Sequence, residues 1–294
     1  MFTEPTRCLF CYSSGASIEN SDAIHPRVTG FGPFTTYICS YCGSFFTYPA
    51  PSKEQIVDFY TKSARGISPE LRDSRIHNPQ TAWYQKCFRE IAKSIHLNNN
   101  EIEWLELGSG DGELAQIVGR NWAHGKGVCI DLHSKPARIK NLDNVDWSQH
   151  DLNVGVPEKF HHKFDLAFSI SVIEHVLDPE LFLTSLIKTV RDKGVVVVVG
   201  PDFGSFFAKI MGRRWPYYLP GEHLHIPTRE GLARLMERLV SRVGPVKYST
   251  SSIWIPYSIG YIAEFYKMRL FDTIPGNWAV SVPAGAFILR VTKG

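Results

Sequence analysis

The chain has 294 residues and a formal net charge of +3; 44% of it is hydrophobic and 13% aromatic. That apolar content supports a real core and excludes a disordered chain, and the length allows one large domain with a small one. The weak charge disfavours a dedicated nucleic-acid binder. No uncharged apolar run reaches the 18 residues of a membrane span, and MFTEPTRCLF at the start lacks the long apolar run of a signal peptide.

The first fifty residues carry Cys8-Leu9-Phe10-Cys11 and Cys39-Ser40-Tyr41-Cys42-Gly43. Each C-x2-C pair offers two thiolates from one tight turn, so Cys8, Cys11, Cys39 and Cys42 complete a tetrahedral Zn²⁺ site of the structural, closed kind. The 27-residue spacer, 12–38, exceeds the usual spacing of about 15–20, and Pro26, Gly30, Gly32 and Pro33 make it a loop or hairpin. Redox CxxC chemistry is the competing reading, but it needs only one pair, beside a βαβ unit. His25 could replace a ligand, but a loop histidine is more often just exposed. Reduced thiols point to the cytoplasm.

Ser52-Lys53-Glu54-Gln55 is a capping-box pattern that opens a helix through Tyr60. Residues 62–79 are polar, with Gly66, Pro69 and Pro79, and read as a linker or lid. Thr81–Leu97 is a helix with Trp83, Tyr84, Phe88, Ile91 and Ile95 on its apolar side.

Ile102, Trp104, Leu105 and Leu107 then form a buried parallel strand, which ends in Glu106-Leu107-Gly108-Ser109-Gly110-Asp111-Gly112 ahead of a helix. Strand, glycine turn and helix open a nucleotide-binding α/β unit. A dinucleotide fingerprint counted from Gly108 needs its third glycine at 113, where Glu113 stands, and that carboxylate would repel a pyrophosphate. The spacing E-x-G-x-G-x-G suits a ligand without phosphate. Gly127–Asp131 is a second strand ending in an acid 23 residues after Gly108, close to the distance of a ribose-binding carboxylate. Val145–Leu152, with Asp151, is a third strand and its acidic end; Phe164–Ile170 is a fourth, running into Ser171-Val172-Ile173-Glu174-His175-Val176-Leu177-Asp178-Pro179; Gly194–Gly200 is a fifth, buried on both faces.

In this ordered set, roughly Trp83–Asp202, the chain resembles class I S-adenosylmethionine (SAM) dependent methyltransferases. The resemblance implies a Rossmann-like α/β fold with a seven-stranded sheet and a small N-terminal zinc-ribbon module. It places SAM against Glu106, Gly108, Gly110, Gly112, Asp131, Leu132, Asp151, Leu152 and Ser169. The implied organisation is a zinc module at 1–50, a linker or lid at 51–80, and a methyltransferase domain at 81–294 with insertions at 203–230 and 253–278.

Beyond the fifth strand, Phe203–Pro220 is aromatic and Gly221-Glu222-His223-Leu224-His225-Ile226-Pro227-Thr228 precedes a helix running to about Val240. Val246–Ser252 and Gly285–Val291 are the last two strands, with a helix expected at Ile259–Leu270 between them. That aromatic insertion can serve as a lid over the acceptor, a homodimer interface or a membrane-surface helix.

A base for methyl transfer should lie above the C-terminal strand ends. Glu174-His175 resembles the E-x-x-E-H phrase of ubiquinone-type O-methyltransferases, whose acids can hold a metal; Ser171 replaces the first acid, which argues against a catalytic metal. The alternative is that Glu174 and His175 cap the next helix and shape the SAM pocket. Glu222-His223 resembles the Glu-His pair of deoxysugar C-methyltransferases, which also begin with a four-cysteine module; the resemblance makes His223 the general base, Glu222 its support and His225 a residue behind them. Pro220 and Gly221 depart from that pattern, and the chain lacks room for the family's further domain. The expectation is a zinc-containing methyltransferase acting on a small-molecule acceptor, a sugar or sugar nucleotide, with O-methylation favoured over C-methylation. RNA methylation and non-catalytic SAM binding are the rivals.

Overall fold

The structure, a computed structural model, describes residues 7–25, 32–62, 79–95, 101–258 and 279–294. Its elements in chain order are β1 (Ala16–Ala23), β2 (Phe34–Cys39), β3 (Phe45–Tyr48), α1 (Lys53–Lys62), α2 (Pro79–Lys93), β4 (Glu103–Leu107), α3 (Glu113–Asn121), β5 (Lys126–Asp131), β6 (Val145–Gln149) and β7 (Phe164–Ile170). There follow α4 (Pro179–Thr189), β8 (Val190–Pro201), α5 (Phe206–Met211), β9 (His225–Ile226), α6 (Arg229–Val243), β10 (Val246–Ser258) and β11 (Ala279–Lys293).

Seven strands form one sheet in the order β10-β11-β8-β7-β4-β5-β6. Strands β4 to β8 pair in parallel, and β11 runs antiparallel between β8 and β10. A parallel sheet must be covered on both faces. On one face Leu105, Leu107, Val196 and Val198 pack with Leu183 and Leu186 of α4 and Leu232, Leu235 and Leu239 of α6. On the other, Trp104, Leu166, Val195 and Val197 pack with Cys87 and Ile91 of α2 and Leu114 and Val118 of α3. The run of five valines in β8 therefore serves both faces alternately.

Local signals account for the helix starts. Gln55 N–H donates to Ser52 Oγ and Ser52 N–H to Gln55 Oε1, the expected capping box. Asp178 caps α4 by accepting from the N–H groups of Glu180 and Leu181. Capping by Glu174 and His175, the alternative drawn from the sequence, is thereby excluded. Thr228 caps α6 through Gly231 N–H.

Several bounds shift. The helix expected at Thr81–Leu97 starts at Pro79 and ends at Lys93, because Pro is tolerated in a first turn where no N–H is needed. Strands β10 and β11 run 13 and 15 residues and pair out to Ser258↔Ala279, whereas β11 meets β8 only over Ala286–Thr292. Their outer ends are thus a two-stranded ribbon, and the insertion expected from Ile253 begins as strand. The helix expected at Ile259–Leu270 and the linker at 63–78 lie outside the described residues.

The second sheet, β1-β2-β3-β9, is antiparallel. Three strands come from the first fifty residues. The fourth is contributed by His225 and Ile226, opposite Phe46 and Phe45.

A cross-strand pair gives a test of core packing. Gly127 faces Trp104 across β5 and β4, and a Cβ at Gly127 would stand 2.1 Å from the indole ring. Overpacking of this kind costs about 1–3 kcal/mol. Gly127→Ala should lower unfolding stability by that amount in urea, with a shift in tryptophan emission.

Candidate active site

The C-terminal ends of the parallel strands carry the candidate site, as open α/β sheets require. After β4 the turn needs three positive φ angles, +75° at Gly108, +52° at Gly110 and +78° at Gly112. Gly108 is fixed doubly, since a Cβ there would lie 2.2 Å from Val172 Cγ2. The turn is held from β5: Gly110 N–H donates to Asp131 Oδ2 at 2.8 Å, while His133 N–H donates to Asp131 Oδ1 at 2.9 Å. His133 Nδ1 lies 2.9 Å from the same oxygen. Leu132 is exposed beside this carboxylate. Asp151 accepts from Asn153 N–H and pairs with Lys53 Nζ at 2.9 Å, so the start of α1 lies against the third strand end. Leu152 is largely buried, and Ser169 donates to the Leu107 carbonyl from a fully buried position. Glu106 lies under the turn, and burial pushes its carboxyl up to about 8.

The second half of the site joins the turn after β7 to the segment Pro220–Thr228. The His175 and His223 rings meet edge to face at 4.7 Å. His223 Nδ1 lies 2.7 Å from the Tyr217 carbonyl and His175 Nδ1 lies 3.0 Å from the Glu222 carbonyl. A carbonyl accepts only, so each Nδ1 carries the proton. The Glu174 side chain is completely buried, and neither of its oxygens has a hydrogen-bond partner among the described residues. Burial pushes its carboxyl up to about 7, opposed by the charge of His175. Donor atoms of Glu174, His175 and His223 lie within 4.8 Å of one another, close enough to share a proton or hold a divalent cation. The third donor therefore comes from a distant loop, not from position 171.

Glu222 is placed otherwise than the sequence suggests. Its Oε2 pairs with His25 Nε2 at 2.8 Å, and His223 is oriented by a backbone carbonyl instead. Burial alone would raise this carboxyl, but the His25 hydrogen bond and the nearby His175 and His223 imidazoles hold it down to about 2. His25 is not an exposed loop residue: it is 3% accessible, with its ring edge against Phe59 of α1. His225 is buried behind the site with Nε2 2.5 Å from the Val176 carbonyl, and burial pushes its imidazole down to about 4.

The four cysteines converge as their spacing implies. Sulfur distances are 3.7 Å for Cys8–Cys42 and 3.4 Å for Cys11–Cys39. A tetrahedral Zn²⁺ with Zn–S near 2.3 Å sets its sulfurs about 3.8 Å apart, so the donor set fits. The two turns match: Tyr12 N–H donates to the Cys8 carbonyl and Gly43 N–H to the Cys39 carbonyl, and Tyr12 and Gly43 both have positive φ. Ser13 Oγ stands 3.3 Å from Cys11 and 3.2 Å from Cys39, and Ser44 Oγ 3.2 Å from Cys42.

Residues 80–239, more than half of the chain, match the family described as a methyltransferase domain. The chain belongs to that methyltransferase family. Its curated relatives include the secondary metabolism regulator laeA of Coprinopsis cinerea, 23% identical over 70% of this chain and 51% of that protein. The ubiquinone biosynthesis O-methyltransferase of Maricaulis maris is 23% identical over 72% of this chain and 89% of its own length. The chain thus spans about half the length of the first and most of the second. The plantazolicin methyltransferase BpumL, solved in complex with SAH, has the same fold at 12% identity, with a TM-score of 0.54 over 81% of this chain and 94% of its own. Among the described residues no helix is long and apolar enough to cross a membrane.

The glutamate under the turn has a consequence for stability. Glu106 moves from 4.5 to about 8 on folding. Between those values the native state keeps a proton that the unfolded chain releases, so this contribution is complete below pH 4.5 and is lost as pH rises through 8. The urea midpoint should fall between about pH 5 and 8, and Glu106→Gln should flatten part of that fall. An equal fall in the variant contradicts the assignment.

Proposed function

We propose that the protein transfers the SAM methyl group to a hydroxyl of a small polar acceptor, with a sugar or sugar nucleotide as the preferred class, and that its four cysteines hold one structural Zn²⁺. One observation carries the reading: Glu174, His175 and His223 converge after β7, at the same C-terminal strand ends that carry the glycine turn and Asp131. When bound, SAM supplies a methyl carbon on a sulfonium centre. The chain must then align the acceptor, take its proton and keep water out.

His223 fits the proton-accepting role. Its Nδ1–H is fixed on the Tyr217 carbonyl, which leaves Nε2 as the basic ring nitrogen. Glu222 supports it through space: an ionised carboxylate near two imidazoles favours the imidazolium that forms. The imidazoles of His175 and His223 with the carboxyl groups of Glu174 and Glu222 make a polar setting, which supports a polyhydroxy acceptor over an apolar one.

Tritium-labelled SAM should label members of a panel of sugars and sugar nucleotides, and leave RNA unlabelled. His223→Ala should cut that transfer by about 10²–10⁴ with SAM affinity near normal. Full transfer by His223→Ala contradicts the assignment, and label entering RNA alone contradicts the acceptor class.

Elemental analysis should find one zinc per chain, lost in Cys39→Ser. No zinc in protein purified without chelator contradicts the metal assignment.

A further inference from the structure

The segment that carries His223 is attached to the four-cysteine unit at every level. Its backbone is the fourth strand of that unit's sheet, with Thr47 N–H donating to the Leu224 carbonyl at 2.8 Å and Thr47 Oγ to the His223 carbonyl at 3.3 Å. Thr228 N–H donates to Ser44 Oγ, and Thr228 Oγ donates to the Cys42 carbonyl. Gly231 leaves no room for a side chain, because a Cβ there would stand 2.3 Å from Ser44 Oγ and 3.4 Å from Cys42 Sγ. Arg238 of α6 donates to the carbonyls of Phe10 and Leu9, between the first two cysteines.

One side chain of the unit goes further. His25, two residues past β1, reaches Glu222, the residue next to His223. The same Glu222 carbonyl accepts from His175 Nδ1, and Leu224 N–H donates to the Glu174 carbonyl. The His25–Glu222 pair therefore lies on the junction between the unit and both histidines. The contact is close and sheltered: the imidazole is almost wholly buried, the glutamate side chain is 20% accessible, and Nε2 stands 2.8 Å from Oε2. A charged hydrogen bond of this burial is among the stronger kinds.

We infer that the four-cysteine unit positions the segment carrying His223, with His25 as the positioning residue that ties the two together. The inference rests on reading that segment as part of the acceptor site. The unit is then a working wall of the site and not a separate binding module. His25 touches neither donor nor acceptor. It fixes the peptide that presents His223 and receives His175.

Hydrogen exchange read by mass spectrometry tests this without an acceptor. In His25→Leu the peptide spanning Glu222, His223 and Leu224 should exchange at least about tenfold faster, while β4 to β8 keep their protection. His25→Gln retains an N–H donor and should restore slow exchange. Zinc content and SAM affinity by calorimetry should match the parent protein in both variants. Unchanged exchange in His25→Leu overturns the inference, and so does loosening that spreads equally into β4 to β8. Should His25→Leu fail to fold, Glu222→Ala reads the other half of the pair: it should loosen the same peptide while β4 to β8 keep their protection. Unchanged exchange in Glu222→Ala overturns the inference. Because no methyl transfer is measured, failure of the transferase reading leaves this outcome interpretable by itself.

Discussion

The segment Pro220–Thr228 has its backbone divided between two sheets, and the site depends on that division. On one side His225 and Ile226 complete the N-terminal sheet by pairing with β3. On the other, Leu224 N–H donates to the Glu174 carbonyl in the turn after β7. Without the first pairing, β3 would expose a row of unpaired N–H and C=O groups, a costly edge. Without the second, the turn that holds Glu174 and His175 would lose its cover. A two-residue strand satisfies both demands and leaves His223 with little freedom of its own. Thr228 closes the arrangement, since it caps α6 and ties that cap to Cys42.

The electrostatics follow from the same geometry. Glu174 and Glu222 both lie near the His175–His223 pair and are driven in opposite directions. Glu174 has no hydrogen-bond partner among the described residues, so burial dominates and favours the neutral acid near 7. Glu222 has His25 and two further imidazoles, which outweigh its burial and hold it near 2. Two carboxyl groups separated in this way can take different roles at one pH, one as a fixed charge and one as a proton holder. The difference traces to a histidine that stands 197 residues away in sequence from its glutamate.

Much of the core was legible because each of its signals is local. An apolar strand followed by glycines on alternate residues specifies one backbone path, and Gly108, Gly110 and Gly112 follow it with positive φ. The cysteine pairs are legible for the same reason: each is one turn of chain. The long-range pairs were not. Nothing in the neighbourhood of His25 signals burial against Glu222, and a carboxylate adjacent to His223 in sequence points to the wrong partner. The strand at His225–Ile226 is too short for alternation to register. The outer ends of β10 and β11 were missed because, among the described residues, they pair with each other and not with β8.

Calorimetry with SAM, SAH and NADH tests most directly whether the glycine turn and Asp131 form a site for SAM and not for a dinucleotide. SAM and SAH should each bind at one site per chain, and NADH should give no heat. Asp131→Ala should weaken SAM by about 1.5–3 kcal/mol, the worth of hydrogen bonds to a charged group. Binding of NADH with SAM ignored would contradict the SAM assignment.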